Sequence, residues 1–590
     1  MGRGALAGVG LFLLTAGALW TALPGNPDRE LARPLPERRA GEGFATSDAC
    51  RSCHPGAYAA WKRTYHRTMT QVATPEAVLA PFDGRVLRER GRAFAVLRRE
   101  HRFYLGELEP EAATSRRLDE DAFARLTRPR RVVMVTGSHR MQAYWVEGAD
   151  GLLEQVPFVY LVEEGRWLAN SDSFLQPPDA PDAPLWRYTW SDTCVSCHAT
   201  GGPWDASAAS ADRTPEAAVG ELGIACEACH GPGEEHVARH RSPTERLLAR
   251  AVGVSDPTIV NPRRLPGERS ASVCGRCHVI HPAGEGERLD AFVPGDRLDA
   301  YLDLAGLLAA VDAARELGDL RSVDEEVRDD VGGFWRDGTV RIAGREYLGL
   351  MRSPCAADGG LACTSCHRMH GGDPEKQLEP SRSSDETCAA CHGAIARAPE
   401  AHSGHRAVRC IDCHMPYTSF GLLSAARSHR VGSPTASGAA ARARPNACSL
   451  CHLDRPLGWV ADVLSERHGT PPPELPERHR ELPAGVAWML GGDAVQRALV
   501  AWHAGWAPAR AAYRDGSLVP ALRTLLEDRY PAVRQLAWRA LAALGHEPPF
   551  GLDEVTQDPV VLPDAHRGLT GEALTLALLG PGAPEAWIPE

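Results

Sequence analysis

Apolar and polar residues alternate in one early region of the chain. Between residues 81 and 185, several short runs alternate or are rich in β-branched residues, and both patterns are typical of strands. The clearest runs are 93–97, 101–105 and 131–135. A Gly-Ala-Asp-Gly turn at 148–151 precedes the apolar run 157–162, which predicts a hairpin. We therefore expect a small β-rich insertion over residues 81–185.

Other segments follow the helical period. Residues 55–69 predict a helix that places Trp61, Tyr65 and His66 close together on one face, and residues 299–320 predict an amphipathic helix or helix pair. After a proline-rich break at 471–476, helical periodicity returns in three segments. These segments are 493–502, 518–526 and 532–545. Two of them, joined by Asp-Arg-Tyr-Pro, resemble a HEAT-type repeat, so we expect a HEAT-like helical region over residues 456–590. A helical cap and a partner-docking surface are equally compatible with it.

The N-terminus has the pattern of an export segment. Arg3 precedes an apolar run over residues 5–23, and no cysteine follows it that could carry a lipid. The run is also nearly long enough to span a bilayer. Residues 1–30 therefore predict a signal peptide or an N-terminal anchor, with a possible membrane tether, and a periplasmic or other extracytoplasmic location. The formal net charge of −11 argues against nucleic acid as a partner.

Sixteen of the 17 cysteines fall into one repeated pattern, Cys-x-x-Cys-His, which occurs eight times. We number these motifs one to eight in chain order. They are Cys50, Cys53 and His54; Cys194, Cys197 and His198; Cys226, Cys229 and His230; Cys274, Cys277 and His278; Cys363, Cys366 and His367; Cys388, Cys391 and His392; Cys410, Cys413 and His414; and Cys448, Cys451 and His452. The frequencies of Cys and His in this chain predict roughly 0.02 chance copies of the pattern. The remaining cysteine, Cys355, is interpreted as a buried thiol.

The spacing of the motif has a chemical reason. Two thiols three residues apart on one helical turn can each form a thioether to one vinyl group of a haem, and the following histidine can then bind the iron. Structural zinc sites and disulfides also use paired cysteines, but neither explains a histidine after every second cysteine. The sequence therefore predicts eight covalently attached haem c groups and their iron, with eight motif histidines as proximal ligands.

A low-spin haem needs a second axial ligand, usually histidine or methionine. The best candidates are seven histidines near the motifs. They are His66, His139, His236, His281, His370, His405 and His429. His402 competes with His405, His240 competes with His236, and Met69, Met369 or Met415 could fill a gap. Seven candidates for eight irons leave room for one five-coordinate haem that is open to substrate. In that case His139 could act beside the open iron instead of binding one.

These patterns divide the chain into five regions. Besides the N-terminal segment, the insertion and the tail, residues 44–80 form a first haem module and residues 186–455 a seven-haem domain. Little periodic structure separates the dense motifs of the latter, so haems must replace the ordinary apolar core. The predicted fold is mainly α-helical: a multihaem cytochrome c core with low regular secondary structure, a small β-rich insertion and the HEAT-like region.

Residues around the motifs carry a family resemblance. Motif one continues with Pro55, Trp61 and His66; motif three with Gly-Pro-Gly and His236; motif seven with Met-Pro and His429; and Asn446-Ala precedes motif eight. Over residues 44–455 the chain resembles exported multihaem cytochromes related to the tetrahaem cytochrome c of nitrification and, more distantly, to octahaem hydroxylamine oxidoreductase. The resemblance implies that His66, His236, His370 and His429 are distal ligands.

The function implied is electron transfer. Eight haems with mostly two histidine ligands would pass electrons between a donor and an acceptor protein outside the cytoplasm. The alternative is a multihaem oxidoreductase whose one open haem acts on a small nitrogen or sulfur compound. The resembling families contain both carriers and enzymes. However, the Cys-x-x-Cys-Lys motif of pentahaem nitrite reductases is absent, and no tyrosine here can be matched to the one crosslinked to haem in hydroxylamine oxidoreductases.

Overall fold

The structure is a computed structural model. It describes residues 43–109, 116–118, 120–148, 153–173, 188–190, 194–201, 219–253, 256–279, 289, 291–317, 333–379, 385–421, 423–436, 444–513 and 518–552. The predicted export segment at residues 1–30 and the candidate ligand His281 lie outside these ranges. Within them, no helix is both long enough and apolar enough to cross a membrane.

The first large element is an eight-stranded antiparallel sheet. Its strands are β1 (Thr70–Val72), β2 (Asp83–Glu89), β3 (Arg92–Arg99), β4 (Arg102–Leu108), β5 (Leu126–Thr136), β6 (Met141–Glu147), β7 (Leu153–Leu161) and β8 (Arg166–Ala169). Strands β2 to β8 follow one another in sequence order, and β1 also pairs with β5. Because β2 and β8, at the two ends of this order, lie in contact, the sheet is nearly closed. Its interior holds buried rings such as Phe94, Tyr144 and Phe158.

This sheet corrects the predicted fold class in its extent. The three clearest predicted strands are confirmed as parts of β3, β4 and β5, and the predicted hairpin is confirmed because β6 pairs antiparallel with β7. The insertion is nevertheless not small, since its strands run from Thr70 to Ala169 and form one sheet. Consecutive strands are joined as antiparallel neighbours, which lets a chain of only about 100 residues wrap a core of its own.

The segments that carry the motifs form short helices. In chain order up to motif seven, the helices are α1 (Ser47–Arg51), α2 (Pro55–Trp61), α3 (Asn170–Ser173), α4 (Val195–His198), α5 (Cys226–His230), α6 (Glu234–Arg241), α7 (Pro243–Val252), α8 (Gly267–Gly275), α9 (Leu304–Leu317), α10 (Glu346–Met351), α11 (Pro354–Ala357), α12 (Glu386–Ala389), α13 (Gly393–Ala396), α14 (Pro399–Ser403) and α15 (Cys410–His414). Of these, α3 directly follows the large sheet. Two further sheets have two strands each: β9 (Ala199–Thr200) pairs with β10 (Glu221–Leu222), and β11 (Tyr417–Gly421) pairs with β12 (Ser424–Arg427). Most of these helices span one or two turns, as the low periodicity predicts.

Longer helices return after motif eight. They are α16 (Leu457–His468), α17 (Glu477–Glu481), α18 (Ala484–Gly491), α19 (Ala494–Gly505), α20 (Ala507–Ala512), α21 (Leu518–Thr524) and α22 (Pro531–Ala543). Asp493 caps the N-terminus of α19. Its side chain accepts the backbone N–H of Gln496, and the Gln496 side chain accepts the backbone N–H of Asp493. The three helical segments predicted here are thus confirmed, while their HEAT-like identity stays a prediction.

The C-terminal helices cover the outer face of the sheet. Along β7, Phe158 and Tyr160 enter the interior core of the sheet, whereas Val159 and Leu161 join the core of the C-terminal helices. The Arg539 side chain on α22 also pairs with the Glu164 carboxylate, at 2.6 Å. The helical region therefore packs on the sheet, in addition to contacting Leu453 just after motif eight.

Candidate haem attachment and ligand sites

Each motif is folded as one helical turn. The N–H of the motif histidine donates to the carbonyl oxygen of the first cysteine, four residues earlier, at 2.8–3.0 Å in motifs one, two, four, five, six and eight. In motifs three and seven the same residues form α5 and α15. One turn places both thiols and the imidazole on neighbouring parts of its surface. None of the sixteen motif cysteines forms a disulfide, so each motif offers two thiols for thioether bonds.

The motif cysteines differ in exposure. Cys53 and Cys391, the second cysteines of motifs one and six, are exposed, whereas the other fourteen are half-buried. Cys366, the second cysteine of motif five, is one of the half-buried ones, and its carbonyl oxygen accepts the Glu379 N–H at 3.1 Å. Haem attachment stays a prediction at all sixteen motif cysteines, including Cys53, Cys366 and Cys391. Cys355, expected to be buried, is instead half-buried, because it lies on the short surface helix α11.

Five motif histidines each lie opposite a second histidine at nearly constant distance. The pairs and their ring-centroid distances are His54–His236 at 6.2 Å, His230–His370 at 6.0 Å, His367–His429 at 6.3 Å, His414–His402 at 6.1 Å and His452–His405 at 6.0 Å. The ring planes are within 23° of parallel in four pairs and 39° apart in the fifth. These second histidines come from other segments of the chain, so the folded structure creates the pairs.

The distance matches a shared metal ion. A metal–imidazole nitrogen bond is about 2 Å long, and the ring nitrogen lies about 1.1 Å from the ring centre. Two imidazoles on opposite sides of one iron therefore have centroids about 6 Å apart. Direct stacking of two rings gives a shorter separation, as the 4.1 Å between Tyr65 and His139 shows. The five pairs fit the two axial positions of a haem iron.

The second ring nitrogen of several of these histidines is anchored. Five Nδ1 atoms donate to backbone carbonyl oxygens at 2.6–3.1 Å. The pairs are His230 with Val260, His367 with Lys376, His405 with Ser403, His414 with Gly432 and His429 with Arg427. A bond at Nδ1 fixes the ring orientation and leaves Nε2 as the unprotonated nitrogen that a metal needs. Burial also lowers the pKa of His230, His367 and His429, which favours the neutral ring.

Two ligand candidates are anchored by carboxylates instead. His236 Nδ1 donates to Asp256 Oδ2 at 2.8 Å, and His278 Nδ1 lies 3.3 Å from Glu346 Oε2. Burial acts to raise the pKa of Asp256, but hydrogen bonds from Thr258, His236 and His240 outweigh it and hold the pKa below its ordinary range. His240 thus does not replace His236 in the pair; it shares the same carboxylate oxygen at 2.6 Å.

Thiols of different motifs approach one another. Four pairs of thiols lie close together: Cys50 with Cys226, Cys197 with Cys277, Cys274 with Cys363 and Cys388 with Cys410. Motif one therefore lies beside motif three, motif two beside four, four beside five, and six beside seven. Cys229 also lies near Cys277 of motif four, and Cys413 lies near Cys448 of motif eight. Groups attached at these thiols would be neighbours.

The first and third motifs are also held together by protein contacts. The Glu227 carboxylate, 3% exposed, accepts the backbone N–H groups of Ala45, Thr46 and Gly233 at 2.7–2.9 Å. The Trp61 Nε1–H donates to the Ile224 carbonyl at 2.9 Å. The sequence predicts one helix over residues 55–69, but in the structure this helix ends at Trp61 and the chain continues as turns. The turns place the His66 carbonyl where it accepts the Ile224 N–H.

The remaining predicted ligands have varied surroundings. His66 is half-buried, and desolvation lowers its pKa to about 4, with His278 and His367 nearby. His139 stacks face to face on Tyr65, and its ring lies with the carboxylates of Glu163 and Glu375, all donor atoms being within 4.8 Å. Among the described residues, no imidazole is ring-paired with His198, His278 or His392. The roles of His66, His139 and His281 as ligands stay predictions.

Motif two rests against the sheet. Its Val195 packs with Trp145, Trp190 and Met134 in one buried cluster, and Trp145 and Trp190 meet edge to face with centroids 5.3 Å apart. Arg276, inside motif four, donates to the Ser196 carbonyl at 2.8 Å and so ties motif four to motif two. The sheet therefore supports a haem-bearing segment instead of standing apart from it.

Sequence reasoning misses three participants, His402, Asp256 and Glu227. The sequence presents His402 as a competitor of His405, whereas in the structure the two face different motif histidines. Two histidines three residues apart on a short helix and its exit can reach two neighbouring motifs, and this spacing was the available signal. Asp256 and Glu227 carried no sequence signal, because their partners lie in segments that only the fold brings near.

Comparison with known proteins supports the haem interpretation. Residues 398–468 match the family described as Cytochrome c552, residues 354–397 a doubled CXXCH motif, and residues 181–231 Cytochrome c554 and c-prime. Each segment contains two of the motifs. The structure is also similar to the crystal structure of outer cell wall cytochrome OcwA, with a TM-score of 0.45 and 18% identity, covering 85% of this chain and 100% of that one. No curated protein sequence matches the chain.

The family matches characterise three segments of the chain. These segments are similar to c-type cytochrome families with CXXCH motifs, which supports covalently bound haem c and electron transfer. The predicted resemblance to multihaem c-type cytochromes is thereby confirmed for the matched segments. The count of eight haems and the relationship to hydroxylamine oxidoreductase stay predictions.

Proposed function

We propose that the protein is an eight-haem c-type cytochrome that carries electrons between redox partner proteins. The observation that supports this most directly is the set of five imidazole pairs at 6.0–6.3 Å. An iron with two histidine ligands has no open position for a substrate, so its natural role is to accept and release electrons. The bound haem supplies a one-electron couple, while the chain attaches, ligates and spaces it.

The residues present fit haem well. Every motif offers two free thiols and an imidazole on one turn, and the second imidazole of each pair comes from a separate segment. The distal residues of this proposal are His236 for motif one, His370 for three, His429 for five, His402 for seven and His405 for eight. His66, His139 and His281 are the candidates for motifs two, four and six.

The contacts between motif thiols support a continuous route for electrons. Motifs one, three, four and five form one run of neighbours, with motif two beside motif four, and motifs six, seven and eight form a second run. His429 links the two runs, because it follows motif seven in sequence but faces His367 of motif five. Tethered haems at such neighbouring sites would exchange electrons directly.

We further propose an extracytoplasmic location with redox proteins as partners. The proposal rests on the Arg3-led apolar run at residues 5–23, which is typical of export. Cell fractionation of the full chain, followed by N-terminal sequencing of the exported form, tests both the location and the cleavage of this segment. Recovery of haem-loaded protein from the cytoplasm would contradict the proposal.

The ligand proposal is tested by electron paramagnetic resonance on the oxidised, purified protein, together with intact mass to count the haems. His402→Ala and His405→Ala should each retain eight haems and convert about one haem to high spin, since each removes one axial ligand. His101→Ala serves as the control, because His101 is exposed between β3 and β4. A spectrum unchanged by both variants would overturn the pairing.

A second candidate function is an oxidoreductase with one open haem that acts on a small nitrogen or sulfur compound. The arrangement that favours it is the stack of His139 on Tyr65, beside Glu163 and Glu375, which offers proton donors next to the haem-bearing segments. A high-spin signal in the unmodified protein that shifts on addition of cyanide or nitrite would favour this candidate. An entirely low-spin spectrum that neither ligand alters would reject it.

A further inference from the structure

The carboxylate of Asp256 occupies a special position beside the first imidazole pair. Its Oδ2 atom accepts the Nδ1–H of His236 at 2.8 Å, while the His236 ring faces His54 at 6.2 Å. Its Oδ1 atom accepts the backbone N–H and the hydroxyl of Thr258 at 2.9 and 2.7 Å. The side chain is 8% exposed, so the carboxylate is fixed in place and largely shielded from solvent.

Most anchored ligand candidates have a different partner. The Nδ1 atoms of His230, His367, His405, His414 and His429 donate to backbone carbonyls, which are neutral. Asp256 instead carries a negative charge at neutral pH, partly offset by the half-exposed Arg239 guanidinium, whose Nη1 donates to Oδ1 at 3.3 Å. A carboxylate that accepts the Nδ1–H of a metal-bound imidazole makes the imidazole a stronger electron donor. A stronger donor and a nearby negative charge both favour the ferric over the ferrous ion, which lowers the reduction potential.

We infer that Asp256 is a positioning residue that lowers the reduction potential of the haem at motif one below the potentials of the carbonyl-anchored haems. This inference rests on the proposed function, in particular on His236 as the distal ligand. Asp256 does not touch the iron; it acts through the His236 ring. The haem at motif one, at the end of the run of neighbouring motifs, would then be the last of that run to be reduced.

His240 modulates the same carboxylate. Its Nε2 atom lies 2.6 Å from Asp256 Oδ2, the oxygen that His236 also uses, and the two rings are 4.6 Å apart. A second donor on one oxygen draws charge away from the first hydrogen bond. Loss of the His240 donor should therefore strengthen the pull of Asp256 on His236, an effect opposite in sign to neutralising Asp256.

The experiment is spectroelectrochemical titration of the intact haem-loaded protein, with electron paramagnetic resonance as the check on ligation. Asp256→Asn keeps a hydrogen-bond acceptor but removes the charge, so one midpoint potential should rise while the haems stay low-spin. His240→Phe should move the same midpoint downward. Asp48→Asn is the matched control, because Asp48 is an exposed carboxylate on α1, bonded to the Tyr58 hydroxyl near motif one; its shift should be much smaller.

The possible failures are distinguishable. If Asp256→Asn leaves every midpoint unchanged, or shifts one no more than Asp48→Asn does, the inference is overturned. If His240→Phe raises the midpoint, it is also overturned, and this variant leaves the Asp256 bonds to Thr258 in place should Asp256→Asn fold poorly. His236→Ala separately tests the ligand: a spectrum without a new high-spin signal would reject the distal role of His236 itself.

Glu346 offers an independent case of the same effect. Its Oε2 atom lies 3.3 Å from His278 Nδ1 at motif four, and its other oxygen accepts the Gly344 N–H at 2.8 Å. Glu346→Gln should raise a second midpoint by a smaller amount, because the bond is longer. Asp299→Asn is its control, since the Asp299 carboxylate pairs with Arg297 and binds no imidazole.

Discussion

The Glu227 carboxylate joins the first and third motifs by accepting three backbone N–H groups, those of Ala45, Thr46 and Gly233. Hydrogen bonds to a charged group contribute about 1.5–3 kcal/mol each, and buried donors left without a partner are costly. Glu227→Ala should therefore lower the free energy of unfolding by about 3 kcal/mol or more. Denaturant unfolding followed by tryptophan fluorescence measures it, and the exposed Glu234→Ala should change it by less than about 0.5 kcal/mol.

The carboxyl group of Asp172 should make the free energy of unfolding depend on pH. Burial, and then the nearby Glu89 carboxylate, raise the pKa of Asp172 from 3.8 to about 7. The folded state therefore keeps a proton that the unfolded state releases, so stability should fall as the pH rises from about 4 to about 7, at about 1.4 kcal/mol per pH unit. Asp172→Asn should stabilise the protein at pH 8 and flatten this dependence in thermal unfolding scans. A variant whose melting temperature follows the wild-type pH profile would contradict the assignment.

Among single residues, the sequence predicts those whose functional partners lie close by in the chain. The eight haem motifs and their proximal histidines are recognisable because all three functional side chains lie within five residues. Which second histidine faces which motif is harder to predict, because each comes from another segment: His402 and His405 stand three residues apart and yet face His414 and His452, respectively. Asp256 is less predictable still, since an aspartate beside a histidine leaves no pattern in the chain.

Among the elements, the C-terminal helices are joined by a buried ion pair. Arg497 on α19 donates from Nε and Nη2 to the two oxygens of Asp528 at 2.7 and 3.3 Å, with 4% and 3% of the side chains exposed. Removing one partner strands a buried charge, which costs about 3–5 kcal/mol. Asp528→Ala should lower the free energy of unfolding by that amount.

A double replacement provides the control for this pair. In Arg497→Met with Asp528→Leu, neither charge remains, so most of the lost stability should return. Asp462→Ala on α16 is a matched single change, because Asp462 is exposed. If Asp528→Ala were no more destabilising than Asp462→Ala, the ion pair would not hold these helices together.

The sequence predicts individual strands more readily than the extent of the sheet that they form. Strand β4 alternates because one side faces the core, and its run 101–105 is readable. Strand β7 is buried at nearly every position, since the sheet interior holds one side and the C-terminal helices cover the other. Its continuous apolar run predicts a strand but not how many strands pair around it, so the sequence alone predicts too small a sheet.

At the scale of the whole molecule, motif four is the junction of the haem-bearing segments. Its two thiols approach Cys197, Cys363 and Cys229, which belong to motifs two, five and three. Motif eight, in contrast, approaches motif seven through Cys448. If electrons move between neighbouring haems, the junction should matter more to the speed of transfer than the end does.

This difference gives a kinetic prediction for the complete protein. Cys274→Ala with Cys277→Ala should yield a seven-haem protein in which reoxidation becomes biphasic, because motif four no longer connects motifs one to three with motif five. Cys448→Ala with Cys451→Ala also leaves seven haems but removes only an end, so reoxidation should stay in one phase. Stopped-flow absorbance measures both, after the dithionite-reduced protein, freed of excess dithionite, is mixed with excess ferricyanide as the electron acceptor. Equal single-phase kinetics in the two variants would mean that the contacts between motif thiols do not define the route of the electrons.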